Sequence, residues 1–188
     1  MKTIIIGLGN PILSDDSVGI KVARILQERV KDGTVPDLRT GLPVSLGEVV
    51  ESGLSPSANI NIDVVEIYAG GIRLMDAMVG YERAVIIDAM VTGKVSPGSL
   101  QTLPLSALIS TRNMACMHDT NISTALELGK MIGLKLPDHI SIFGIEAKDV
   151  ETFSEELTEE VEKAVPEVVE NIIKNIFGGG YENRRILL

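Results

Sequence analysis

Residues 2–30 of this 188-residue chain, KTIIIGLGNPILSDDSVGIKVARILQERV, contain the pattern from which its fold class follows. Residues 3–6 are consecutive β-branched side chains that end at Gly7, a pattern typical of a strand buried on both faces. After the turn 7–16, apolar side chains recur at helical spacing over residues 17–30, with charged and amide side chains on the opposite side. The order of strand, turn and helix predicts the first unit of a parallel α/β sheet.

The same alternation continues to residue 177. We predict strands at residues 60–67, 83–90, 99–103 and 139–145, and helices at residues 70–79, 122–132 and 154–177. Pro104 follows one strand immediately and favours an edge position for it, whereas Pro166 should kink or restart the last helix. Ser154, with two glutamates after it, favours a helix start at that point. The pattern predicts an α/β fold: a single three-layer domain, a mostly parallel twisted sheet with helices on both faces.

The domain organisation follows from the absence of a linker or an internal repeat. We expect one domain over residues 1–177 and a C-terminal tail over residues 178–188. Residues 32–57 are rich in Gly, Pro and Ser, which indicates a loop-rich insertion within the domain.

Composition excludes several classes of function. The chain has 17 Lys and Arg against 26 Asp and Glu, a formal net charge of −9, which argues against a nucleic-acid partner. One Cys forms no internal disulfide and is compatible with a reducing, cytoplasmic location. No apolar run approaches the ~20 residues of a membrane span, so we expect no membrane association. With one Cys and two His, any metal site has to consist mostly of carboxylates.

The turn 7–16 carries the first candidate site. Gly7 and Gly9 suggest a dinucleotide fingerprint, but the third glycine is replaced by Ile12, which disfavours a phosphate site. Asp15 and Asp16 stand before a helix, where Ser14 or either aspartate can cap free N–H groups. A cap needs only one of them, so a carboxylate remains for another role.

Three further side chains are candidates. Asp88 follows an apolar run, where it is either a turn former or a functional acid, with neither reading favoured by spacing. Cys116 and His118 share a polar loop at residues 114–121; a thiol-protease pair is one reading, a small buried Cys the commoner one. His139 stands at a strand entrance, at the opposite end of the sheet, and is treated as structural. In parallel sheets the ligand crevice lies beyond the carboxyl ends of the strands, so Asp16, Asp88 and His118 can converge there as an O, O, N set suited to a borderline divalent ion.

Four segments together carry a resemblance to a known family. They are IIGLGNPILSDDSVGIKVARIL (5–26), VIIDAMV (85–91) followed by PGSL (97–100), HDTNISTALELGKMIG (118–133) and HISIFGIE (139–146). In this order they resemble the nickel-iron hydrogenase maturation endopeptidases, over nearly the whole chain. Residues 32–57 are longer than the family pattern, and the tail matches no part of it.

The resemblance implies a function and a site. Members remove a short C-terminal extension from the hydrogenase large-subunit precursor after nickel insertion, usually as monomers with a phosphorylase/hydrolase-like fold. The metal-contacting positions of the family fall on Asp16, Asp88 and His118; the first is Glu in some members. The implied mechanism is that these side chains contact nickel held by the precursor, so that the protease stores no metal and binds loaded precursor preferentially. No Ser/His/Asp triad is recognisable, and a general-base role for one aspartate stays open.

Two other classes share part of the pattern. Peptidyl-tRNA hydrolases also begin with a strand and GLGNP, but their catalytic His follows soon after the turn, where this chain has residues 14–16 (Ser-Asp-Asp). A nickel-binding maturation chaperone without peptidase activity is the second alternative, and it predicts a complex with the precursor but no cleavage.

Overall fold

Strands and helices alternate along the chain in the predicted order. The computed structural model describes residues 2–32, 34–36, 43–44, 61–105 and 122–177. The elements are β1 (Lys2–Leu8), a 3-10 turn (Ser14–Ser17), α1 (Val18–Lys31), β2 (Val35–Pro36), β3 (Pro43–Val44), β4 (Asn61–Ile67), α2 (Gly71–Ala77), β5 (Arg83–Met90), β6 (Leu100–Leu103), α3 (Ile122–Met131), β7 (His139–Glu146) and α4 (Glu159–Phe177).

A five-stranded sheet forms the middle layer, in the order β4-β1-β5-β7-β6. Strands β4, β1, β5 and β7 are parallel, whereas β6 pairs antiparallel with β7. The predicted mostly parallel sheet and the edge position of β6 are therefore confirmed. Strands β2 and β3 pair with each other inside the segment that the sequence predicted to be loop-rich.

Helices cover both faces of the sheet, which confirms the predicted three layers. On one face, α1 and α4 pack on alternate residues of the central strands, such as Ile5, Val85 and Phe143. On the other face, α2 and α3 pack on the intervening residues, such as Ile4, Ile86 and Ile142. The central strands are hydrophobic throughout because each face is buried against helices.

The start of the last helix was predicted wrongly. Helix α4 begins at Glu159, not at Ser154. Ser154 instead forms a parallel bridge with Leu13, and its hydroxyl accepts a hydrogen bond from the Glu156 N–H. The Ser154 side chain thus stabilises a local turn and not a helix start. Its backbone is held by Leu13, which lies far away in the N-terminal part of the chain. The helix runs through Pro166 as one element, so the predicted restart does not occur.

Within the described part of the chain, no helix combines the length and the apolar composition that a membrane span requires. The division into residues 1–177 and a tail at 178–188 stays a prediction, because the tail and most of residues 32–57 lie outside the described residues.

Candidate active site at the carboxyl edge of the sheet

The turn between β1 and α1 is held in one conformation by its own polar groups. The Asn10 side chain accepts a hydrogen bond from the Ile12 N–H, and the Asn10 carbonyl accepts one from Leu13. Ser14 is buried and has a φ of 40°, a left-handed conformation that serine rarely adopts. Such strain is kept only where surrounding contacts determine the backbone, and it is common at functional sites.

Gly9 allows this turn to close. It has a φ of 149°, and a Cβ atom at this position would lie 2.0 Å from the backbone carbonyl oxygen of Asp16. The strand end and the backbone of Asp16 are therefore packed against each other more closely than any side chain permits.

Asp15 fastens the turn to the loop between β7 and α4. Its buried carboxylate accepts hydrogen bonds from the N–H groups of Lys148 and Asp149 and from both the N–H and the hydroxyl of Thr158, at 2.7–3.0 Å. Four donors satisfy a buried carboxylate well, since each charge-assisted bond offsets part of its desolvation cost. Asp15 therefore has a structural role.

Asp16, the neighbouring acid, has different surroundings. Its side chain is buried at the same turn, and its Oδ2 atom accepts a hydrogen bond of 2.9 Å from the Asn10 N–H. The two adjacent aspartates thus have different partners. Asp15 binds the β7–α4 loop, and Asp16 binds the backbone just after the end of β1.

The capping role considered for Ser14, Asp15 and Asp16 is wrong. Neither the 3-10 turn nor α1 has a side-chain hydrogen bond at its cap, and the residue before α1 is Ser17. The side chains of Ser14 and Asp15 are bonded instead to distant residues of the β7–α4 loop, for which residue spacing carries no signal.

Asp88 lies in β5, fully buried, two residues before the strand ends. Because side chains alternate along a strand, Asp88 shares the face of Ala84 and Ile86, which pack against α2 and α3. Its lateral neighbour on β7 is Gly144. The prediction of a buried central strand over residues 83–90 is confirmed, although the strand continues past the acid.

Close packing of α1 brings the two acids to the same edge of the sheet. Gly19 is the second residue of α1, and a Cβ atom on it would lie 2.4 Å from the Leu8 carbonyl oxygen and 2.5 Å from that of Ile87. The first turn of α1 thus rests on the ends of β1 and β5. Asp16 lies three residues before Gly19, and Asp88 directly follows Ile87.

Glu146 is a buried acid that sequence reasoning missed. It ends β7, and its carboxylate accepts hydrogen bonds from the N–H groups of Thr92 and Gly93 and from the Thr92 hydroxyl, at 2.7–2.8 Å. Glu146 thereby holds the segment that follows β5, a few residues after Asp88 in the chain. Its partners lie more than 50 positions away, so nothing local in the sequence indicates this role.

Asp149 belongs to the loop that Asp15 holds. The Thr152 hydroxyl and the backbone N–H groups of Thr152 and Glu151 lower the pKa of Asp149 to about 2. The loop is thus fixed by its own hydrogen bonds as well as by Asp15.

A family model described as "Hydrogenase maturation protease" matches residues 44–175. The chain belongs to the hydrogenase maturation protease family. Its members are endopeptidases, and thus hydrolases. The resemblance drawn from the four sequence segments is confirmed, and neither the peptidyl-tRNA hydrolase nor the chaperone reading agrees with this family.

Individual maturation proteases are distant in sequence and close in fold. The chain is 20% identical to the hydrogenase 2 maturation protease of Escherichia coli strain K12 over 154 residues, 80% of this chain and 76% of the relative. The endopeptidase HybD of E. coli superposes with a TM-score of 0.67 at 19% identity, covering 96% of this chain and 94% of that one. The HybD nickel-iron hydrogenase maturation protease of Thermococcus kodakarensis gives a TM-score of 0.62 at 25% identity, and the match covers 94% of this chain and 99% of that one. These likenesses confirm the predicted α/β fold.

His118 and Cys116 lie outside the described residues, so their placement stays a prediction. His139, by contrast, is exposed at the first residue of β7, at the amino-terminal edge of the sheet, as expected for a histidine outside the site. Among the residues described, no three His, Cys, Asp or Glu side chains form a group that could hold a metal ion. The predicted ligand set includes His118 and is not tested by that finding.

Proposed function

We propose that this maturation protease removes the C-terminal extension of a nickel-iron hydrogenase large-subunit precursor after nickel insertion. We further propose that Asp16, Asp88 and His118 contact the nickel, which the precursor itself holds. The observation that carries the proposal is the pair of buried carboxylates, Asp16 and Asp88, at the carboxyl edge of a sheet in a chain of this family. That edge is where open α/β sheets bind their ligands.

The different hydrogen-bond partners of Asp15 and Asp16 support Asp16 as the metal-contacting aspartate of the two. Asp15 accepts four hydrogen bonds from the β7–α4 loop, so metal contact by Asp15 would require breaking them. Asp16 lies on the turn that packs against the ends of β1 and β5. In the proposed site, a cation bound at this edge contacts Asp16 together with Asp88.

The topology supports the inclusion of His118. Helix α3 packs on the face of the sheet to which Asp88 belongs. It ends at Met131, ahead of the entrance to β7 at His139, so it runs back across the sheet and its first turn points to the carboxyl edge. His118 lies four residues before this helix.

In this proposal the nickel is part of the substrate. Two carboxylates and one imidazole suit a borderline divalent ion and leave coordination positions open for groups of the precursor. Loaded precursor completes the contacts and empty precursor does not, so selectivity is a difference in binding free energy. The metal can also polarise the scissile carbonyl or a water molecule. The alternative is that Asp16 or Asp88 acts as a general base instead. We propose further that the protein is a cytoplasmic monomer without a permanently bound cofactor, with residues 1–177 as its protease domain.

In the decisive experiment, the purified protein is incubated with precursor that does or does not contain nickel, and the masses of the products are measured by mass spectrometry. The expected result is loss of the C-terminal extension from nickel-loaded precursor only. Equal cleavage without nickel would contradict metal recognition. A stable complex with no loss of mass would instead favour a chaperone role.

A further inference from the structure

Two apolar side chains project into solvent beside the turn that carries Asp16. Phe153 is 81% exposed and Ile12 is 47% exposed. Their neighbours in the chain, Ser154 and Leu13, form a parallel bridge in which the Ser154 N–H donates to the Ile12 carbonyl. Paired backbones lie only ~4.8 Å apart, so Ile12 and Phe153 are adjacent on the surface. We call these two residues the apolar pair.

The backbone beneath the apolar pair is fixed on both sides. Asp15 binds the N–H groups at residues 148, 149 and 158, and the Ser14 N–H donates to the Ser154 carbonyl at 2.8 Å. Asp149 accepts hydrogen bonds from the N–H groups of Glu151 and Thr152. An exposed phenylalanine on a preorganised loop loses little conformational entropy when it binds a partner. Aromatic side chains are also enriched among the residues that dominate binding energy at protein interfaces.

The charges around Phe153 specify the partner. Residues 148–156 contain four acids and one Lys, Lys148, whose ammonium group is paired with Glu160 outside this stretch. Glu151, Glu155 and Glu156 are exposed. A complementary surface therefore carries Lys or Arg around an apolar side chain.

We propose that the apolar pair and its acidic surround are a docking surface for a Lys- or Arg-bearing apolar segment of the hydrogenase precursor. This inference rests on the proposed function and adds a contact that is independent of nickel. Ile12, one member of the apolar pair, lies on the same turn as Asp16, so a precursor held there has its metal close to the candidate site. Nickel recognition then decides whether the docked precursor is processed.

The test compares Phe153→Ala with Met131→Ala. Met131 is 85% exposed at the end of α3, at the opposite edge of the sheet, and serves as a matched control. Two measurements are made for each protein: equilibrium binding of metal-free precursor, and kcat and KM for cleavage of nickel-loaded precursor. We expect Phe153→Ala to raise Kd and KM about tenfold with kcat unchanged, and Met131→Ala to change neither.

A second pair of variants tests the charges. The double substitution Glu155→Gln, Glu156→Gln is expected to raise Kd several-fold at low salt, and the difference should vanish at about 1 M salt, because screening removes the attraction. Glu127→Gln, at an exposed site on α3, is the control.

The outcomes separate docking from the proposed function. If the wild type cleaves loaded precursor and Phe153→Ala binds as tightly as Met131→Ala, the docking surface is overturned and the function stands. If the wild type binds precursor through Phe153 but never cleaves it, the function fails and the docking surface stands. Absence of wild-type binding to precursor in either form overturns the docking surface, and a fall in kcat alone assigns Phe153 to a different role.

Discussion

Asp15 and Thr158 are joined by two hydrogen bonds although 143 positions separate them in the chain: the Thr158 N–H donates to Oδ1 at 2.7 Å and the hydroxyl to Oδ2 at 2.9 Å. This contact fixes the start of α4, because Thr158 directly precedes the helix and its carbonyl accepts the Glu162 N–H. It also engages both carboxylate oxygens of Asp15, which is why the proposed site uses Asp16 and not Asp15.

Asp15→Asn should destabilise the protein more than Asp16→Asn. The amide places N–H donors against the backbone donors of the β7–α4 loop, so we expect a loss of about 2–4 kcal/mol in the free energy of unfolding. Asp16→Asn keeps an acceptor for the Asn10 N–H and should cost less than ~1.5 kcal/mol, yet abolish processing. Urea unfolding and precursor cleavage measure the two effects. The reverse pattern, with Asp16→Asn unstable and active, would exchange the two assignments.

His118→Ala should abolish processing and leave the melting temperature nearly unchanged, because a metal-contacting histidine contributes little to packing. His139→Ala is the matched control, since His139 is exposed at the other edge of the sheet, and it should change neither quantity. A fall of several degrees with activity intact would identify His118 as a packing residue.

Cys116→Ala should process precursor at the wild-type rate. The proposed chemistry uses carboxylates and an imidazole, and a small cysteine usually has a packing role. Cleavage is followed by mass, with the wild type alongside. Complete inactivity of a folded variant would point to thiol chemistry.

Gly9→Ala should be far more damaging than Gly80→Ala. Both glycines have positive φ, but a Cβ atom on Gly9 would lie 2.0 Å from the Asp16 carbonyl oxygen, whereas a Cβ atom on Gly80 meets nothing within 4 Å. We expect about 1–2 kcal/mol for Gly80→Ala from backbone strain alone, and a loss of at least about 3 kcal/mol together with activity for Gly9→Ala. Equal costs in urea unfolding would mean that the turn moves to accept the methyl group.

Asp149→Asn should give a stability difference that depends on pH. Hydrogen bonds from Thr152 and Glu151 lower the pKa of Asp149 from 3.8 to about 2, so the folded state favours the carboxylate. The resulting stabilisation is fully present above pH ~4 and disappears as the pH falls through about 2. The melting temperatures of the wild type and of Asp149→Asn, measured between pH 7 and pH 2, should therefore converge at the acidic end. A constant difference would show that the charge of Asp149 is not responsible.

Most of the fold was predictable because burial imposes a local hydrophobic pattern on each segment: a continuous run in the central strands and helical spacing in the helices. The apolar run before Gly7 and the strand over residues 83–90 are hydrophobic throughout, since helices cover both faces of the sheet. Pro104 indicated the edge strand correctly. Helix α4 was predicted to start five residues too early because a serine followed by two glutamates is a valid helix start locally, and only the bridge to Leu13 excludes it.

The amino-acid pattern was sufficient for the class of fold, for a mostly parallel sheet and, through four motifs in the right order, for the protease family. It also limited a metal site to carboxylates and one imidazole. Only the tertiary structure assigned Asp15 to the β7–α4 loop and found Glu146 beneath the loop after β5. The physical reason is that hydrophobic period is a local property of a segment, whereas the hydrogen-bond partner of a buried carboxylate is chosen by the packing of segments more than fifty positions apart.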